Sequence, residues 1–142
     1  MKTRIELKPR KGTDRLSFGD TRASTRAVLG ASYESFKRTP TAELPCDAYE
    51  EGSVFLYFRK PDILEAIEFA SPARPTLNGR ALLDMSYEEL KNFIVCLDPK
   101  AEFEPDGLTS IELGLGVYAP EAGDDGAEVE SIMVFRDGYY DS

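Results

Sequence analysis

The chain has 142 residues, with 17 Lys/Arg against 26 Asp/Glu, no histidine and two cysteines, for a net charge of −9. That length suits one domain able to bury a core without metal or disulfide staples, and 42% hydrophobic residues argue against wholesale disorder. The acidic balance disfavours nucleic acid as a partner, because it repels phosphate, and no apolar run approaches the roughly 18–20 residues that cross a bilayer.

The charge is unevenly spread. Residues 1–40 carry ten Lys/Arg against four Asp/Glu, a balance of +6, and residues 41–142 carry seven against twenty-two, a balance of −15. Such an acidic stretch can fold onto the basic one or can steer a basic partner. The start, Met1-Lys2-Thr3-Arg4-Ile5-Glu6, has no apolar segment behind its charges. The expected compartment is therefore the cytoplasm. Cys46 and Cys96 lie 50 residues apart in no metal or redox spacing. Cys96 follows Leu90, Phe93 and Ile94 and is expected in the core; Cys46, after Pro45, is expected to be the more exposed.

In chain order, Ile5 and Leu7, then Leu16 and Phe18, alternate about a turn-like Lys11-Gly12-Thr13-Asp14. Asp20 or Thr21 caps a predicted short helix that runs to Leu29 and stops at Gly30. Tyr33 to Arg38 reads as a strand, and residues 39–45, with two prolines, as a loop. Residues 53–58 and 63–69 make a predicted hairpin about Lys60-Pro61-Asp62. Residues 70–79, with Pro72 and Pro75, read as a linker. Ser86 and Glu89 form a capping signature ahead of Leu90, Phe93, Ile94 and Leu97, which predicts a second helix. A second hairpin follows, 111–118 and 129–135, about a polar loop containing Asp125-Gly126, and Asp137-Gly138-Tyr139-Tyr140-Asp141-Ser142 ends the chain.

Two blocks repeat at an offset of 65. Leu64-Glu65-Ala66-Ile67 falls on Val129-Glu130-Ser131-Ile132, Arg15–Phe18 falls on Arg80–Leu83, and Thr21 falls on Ser86. The expected fold class is α+β, an antiparallel sheet built from two similar helix-plus-hairpin units with two main helices packed on it. The whole, 1–142, is read as a single domain with possible tandem units 1–75 and 76–142.

The absence of histidine removes Ser/His, Cys/His and His–metal arrangements. Carboxylate-pair hydrolysis stays open in principle, but 26 acidic residues single out no pair. Asp124-Asp125-Gly126-Ala127-Glu128-Val129-Glu130 lacks the ligand spacing of a calcium loop and reads as a solvated hairpin tip. Leu113-Gly114-Leu115-Gly116-Val117 contains a Gly-x-Gly with no helix after it, so it is no dinucleotide fingerprint. Gly114 and Gly116 leave a flat patch on one face of a strand. No cofactor and no metal are expected.

Phe18-Gly19-x-Thr21 through Leu29-Gly30 resembles the opening of the β-lactamase inhibitory protein and small outer-membrane lipoprotein group, which places a helix of this kind before a hairpin. The signal sequence and disulfides of that group have no counterpart here. Leu115-Gly116-Val117-Tyr118, Val129-Glu130-Ser131-Ile132 and Gly138-Tyr139-Tyr140-Asp141 are similar to stretches of small uncharacterised bacterial proteins, some resembling immunity proteins of toxin systems. These resemblances imply a protein partner and supply no catalytic residue.

The sequence thus points to a non-enzymatic protein-binding module, an immunity protein neutralising a cognate toxin, with a basic toxin domain as the expected partner. Asp124, Asp125, Glu128 and Glu130 are the expected contacts, with Tyr139 and Tyr140 as anchors. The alternatives are a small-molecule binder or carboxylate-dependent hydrolase with its site between helix and sheet, and an assembly subunit joined through the Gly114/Gly116 face.

Overall fold

A computed structural model describes residues 4–140; Met1–Thr3, Asp141 and Ser142 lie outside the described residues. The chain opens with a small hairpin, β1 (Arg4–Lys8) and β2 (Gly12–Thr13), followed by helix α1 (Arg22–Leu29). Four strands come next: β3 (Tyr33–Phe36), β4 (Cys46–Tyr49), β5 (Val54–Arg59) and β6 (Ile63–Ala70). The pattern then recurs. A second small hairpin, β7 (Arg74–Leu77) and β8 (Arg80–Ala81), leads through a 3₁₀ turn at Leu82–Asp84 into α2 (Tyr87–Leu97). The last four strands are β9 (Glu102–Glu104), β10 (Gly107–Ser110), β11 (Leu115–Tyr118) and β12 (Ser131–Phe135). No helix of the described residues is long and apolar enough to cross a membrane.

The strands form two sheets. One has eight strands in the order β3-β4-β5-β6-β12-β11-β10-β9, every pair antiparallel; the other has four, β2-β1-β7-β8, joined at its middle by a parallel β1–β7 pair. The expected α+β class is overturned by this architecture. The structure is mostly β, 40% strand and 16% helix. Each helix precedes a four-strand meander rather than a single hairpin. The strands that went unread are short. β4, Cys46–Tyr49, is buried at all four positions and so shows no alternation. β7 lies within the expected linker despite Pro75; it pairs with β1, while β8 meets only Thr76 and Leu77, so the prolyl nitrogen is asked for no ladder bond on that side.

The helix starts follow the sequence signals. Thr21 caps α1 by accepting a hydrogen bond from Ser24 N, and Gly30 ends it at φ 98°. Ser86 and Glu89 form the reciprocal capping box of α2. Positions 65 apart take matching places here. Arg22 N donates to Asp62 O and Tyr87 N donates to Ala127 O; Thr21 bridges Ile63 and Ser86 bridges Glu128. In the β6–β12 ladder, the middle rung joins Glu68 to Met133, again 65 apart.

One face of the large sheet carries the core. Paired residues project to the same side. The row Tyr33–Tyr49–Val54–Phe69–Ile132–Val117–Leu108–Phe103 crosses all eight strands, and all but its end residues Tyr33 and Phe103 are buried. α2 adds Tyr87, Leu90 and Ile94 to this core. α1 instead buries Arg22 and Thr25. The cysteines reverse their expected places: Cys46 is buried in β4 and Cys96 is exposed. Cys96 follows the inward Ile94 by two positions, a rotation of about 200° around the helix, which turns it outward.

Candidate partner-binding face

Among the described residues, the other side of the eight-stranded sheet contributes nothing to the core cluster that α2 and the smaller sheet share, although Ala48, Ala66, Ser131 and Phe135 on it are buried. Its central row runs Glu34–Ala48–Phe55–Glu68–Met133–Gly116–Thr109–Glu102, one residue from each strand. Tyr57–Ala66–Phe135 flanks it on one side and Ala70–Ser131–Tyr118–Gly107–Glu104 on the other. The face is therefore aromatic and small along its middle and acidic toward the β9 edge.

The β3–β6 half is a preorganised polar and aromatic cluster. The Tyr57 hydroxyl donates to Glu68 Oε1 at 2.7 Å. Arg38 lies over the Phe55 ring at 4.2 Å and 3.6 Å from the same Glu68 oxygen. Phe36 meets Phe55 edge-on at 6.4 Å. Burial, then the Glu68 hydrogen bond and charge, push the Tyr57 hydroxyl well above its ordinary range, so it stays a donor at neutral pH. Beside this cluster a depression of about 470 Å³ is lined by Phe36, Arg38, Ala48 and Phe55 among others.

The structure puts the sequence-predicted residues at the two ends of β12 rather than in one place. Asp124, Asp125, Glu128 and Glu130 are exposed on the loop between β11 and β12. That loop is folded on itself by turns, with Asp124 N donating to Glu121 O and Glu130 N donating to Tyr118 O, and it borders the end of the face where Tyr118 pairs with Ser131. Tyr139 and Tyr140 follow the opposite end. Their rings meet Phe135 at 5.3 and 5.1 Å and one another at 5.1 Å, closing over a residue of the open face. Burial raises both hydroxyls above their usual value, with Glu65 adding at Tyr139 and Glu104 at Tyr140. Tyr140 remains 60% exposed.

The buried carboxylates are occupied. Asp47, fully buried, accepts from Arg22 Nη1 at 2.9 Å and from Arg26 Nε and Nη2 at 2.8 and 2.9 Å. Arg22 also grips Asp62 and the Pro45 carbonyl and lies 4.0 Å from the Phe58 ring centroid. Asp98 accepts from Ser110 Oγ at 2.7 Å and from Lys100 N at 3.0 Å. Among the described residues there is no cluster of three or more Cys, Asp or Glu disposed to hold a metal.

No protein-family model, curated protein or solved structure matches this chain. Its chemistry rests on its own geometry. Phe55 and Tyr57 are the residues of the open face that sequence reasoning did not single out, although one signal was there. β5 is apolar at every position from Val54 to Phe58, yet Phe55 and Tyr57 are only half-buried beside buried Val54, Leu56 and Phe58. A strand apolar on both faces is normally covered on both.

Proposed function

We propose that the protein is a non-enzymatic binding module that seats a basic protein surface against the open face of its eight-stranded sheet. The observation that carries this reading is β5, whose second apolar face, Phe55 and Tyr57, is held in a fixed arrangement by Arg38 and Glu68 yet takes no part in the core cluster. A fixed aromatic cluster rimmed by charge has the composition of an interface centre. Glu34, Glu68, Glu102 and Glu104 give the face a negative balance that Arg38 only partly offsets, which selects a basic partner. The acidic loop with Asp124, Asp125, Glu128 and Glu130 steers that partner to one end, and Tyr139 and Tyr140 meet it at the other. The buried carboxylates Asp47 and Asp98, saturated by hydrogen bonds, favour a binding role over hydrolysis.

The narrower form of the proposal is an immunity protein in the cytoplasm, covering the active site of a cognate toxin. The test is co-expression with the product of the adjacent gene. Relief of its toxicity is expected from the native chain, with loss of protection by Phe55→Arg. Joint reversal of Asp124, Asp125, Glu128 and Glu130 to lysine should slow association at low salt. Full protection by Phe55→Arg removes the open face from the reading, and an adjacent product that neither harms the cell nor binds removes the toxin.

A further inference from the structure

A second recess, on the core side of the sheet, meets the depression beside the open-face cluster at Ser32 and Glu51, which line both. It is a cavity of about 470 Å³ between the first hairpin, the end of α1 and the β4–β5 turn. That volume lies within the ordinary range for small-molecule sites. Its inner wall is Leu16, Val54, Ile67 and Phe69, so deep that Ile67 and Phe69 are each 1% exposed. Water in such a place has few polar partners, and the wall forgoes packing contacts that a bound apolar group would restore.

The rim sets the charge of the occupant. Glu50 and Glu51, adjacent in sequence, both line the cavity and both adopt left-handed backbone, with φ of 52° and 57°, ahead of Gly52 at 87°. Neither carboxylate has an ion-pair partner among the described residues. The one cation on the rim, Arg15, is engaged: its Nη2 donates to Val28 O near the end of α1 at 3.1 Å. Two uncommitted carboxylates against one committed guanidinium favour a positive head group over a negative one.

We infer that this cavity binds a small amphipathic cation, a single ammonium on an apolar body, with the body against Ile67 and Phe69 and the ammonium between Glu50 and Glu51. The inference does not rest on the partner-binding reading, although the two recesses share Ser32 and Glu51 at their rims.

The probe is decylammonium chloride, titrated calorimetrically below its micelle concentration, with decanoate and 1-decanol as same-length controls. Saturable one-to-one binding of decylammonium is expected, tighter than either control. The Glu50→Gln/Glu51→Gln variant, altered only at exposed side chains, should weaken it roughly tenfold, the scale of a lost charge-assisted hydrogen bond. Asp124→Asn/Asp125→Asn removes as much charge elsewhere and should leave binding unchanged. Ser32→Trp, at the exposed rim, should abolish binding while circular dichroism stays native. The inference is overturned by decanoate binding as tightly as decylammonium, by equal losses in the two charge variants, by undiminished binding to Ser32→Trp, or by no saturable binding at all.

Discussion

Glu68 and Met133 face each other on the middle rung of the β6–β12 ladder, a carboxylate and a thioether at the centre of the open face. Positions directly opposite in an antiparallel pair sense one another's charge, by about 0.2–1 kcal/mol. Met133→Lys should therefore be more stable than Met133→Glu by up to about 1 kcal/mol in urea unfolding. In a Glu68→Gln background that gap should shrink toward zero. An undiminished gap would mean that Met133 senses some other charge.

The Asp47 clamp fastens α1 to the sheet with ion pairs where α2 uses Tyr87, Leu90 and Ile94. Removing one member of a buried, hydrogen-bonded charge group leaves the others without compensation, at a cost of about 3–5 kcal/mol. Asp47→Ala should destabilise by that order in chemical denaturation. Arg26→Gln should cost less, because the Arg26 side chain is 30% exposed and Arg22 still answers Asp47. Equal losses from the two variants would show that Arg22 alone does not hold the carboxylate.

Both helices were legible because their signals are local. Thr21 and Gly30 bound α1, Ser86 and Glu89 open α2, and each acts within a turn of itself. β5, β6 and β12 were legible from runs of β-branched and aromatic residues. β4, β7, β9 and β10 were not: at three or four residues each, they are specified by the strands beside them rather than by their own pattern. The inward turn of Arg22 and Asp47 was hidden for the same reason, since a charged side chain is buried only where tertiary pairing permits it. Of the candidate site, sequence named the acidic loop and the paired tyrosines. Which face of the sheet they border depends on the β11–β12–β6 register, a long-range property.

Gly107 and Gly116 lie in neighbouring strands and should respond oppositely to alanine. Gly107 has φ 153°, and a Cβ there would fall 1.8 Å from the Val117 carbonyl oxygen. That oxygen is backbone, so the ladder itself must shift. Around Gly116 the Cβ position is open. Gly107→Ala should destabilise by about 1–3 kcal/mol, the usual scale of enforced backbone strain. Gly116→Ala should stabilise by about 0.5 kcal/mol through reduced freedom of the unfolded chain. A thermal melt of each separates the two signs.

Alkaline unfolding should report on the buried tyrosines. Burial, with the Asp47 charge adding, pushes the Tyr49 hydroxyl up to about 12. Tyr57 is raised further by burial and by its bond to Glu68. Between the ordinary tyrosine value near 10 and these raised values, the folded chain holds protons that the unfolded chain has released. The stability they contribute is whole below pH 10 and is lost progressively above it, through about 12 for Tyr49 and further on for Tyr57. Urea midpoints between pH 9 and 12 should fall steeply for the native chain. Tyr57→Phe should begin lower at pH 9, having lost the bond to Glu68, and decline less, because one of the raised titrations is gone. Parallel curves would remove Tyr57 as a source of the alkaline sensitivity and leave the other raised tyrosines, Tyr49, Tyr87, Tyr139 and Tyr140, to account for it.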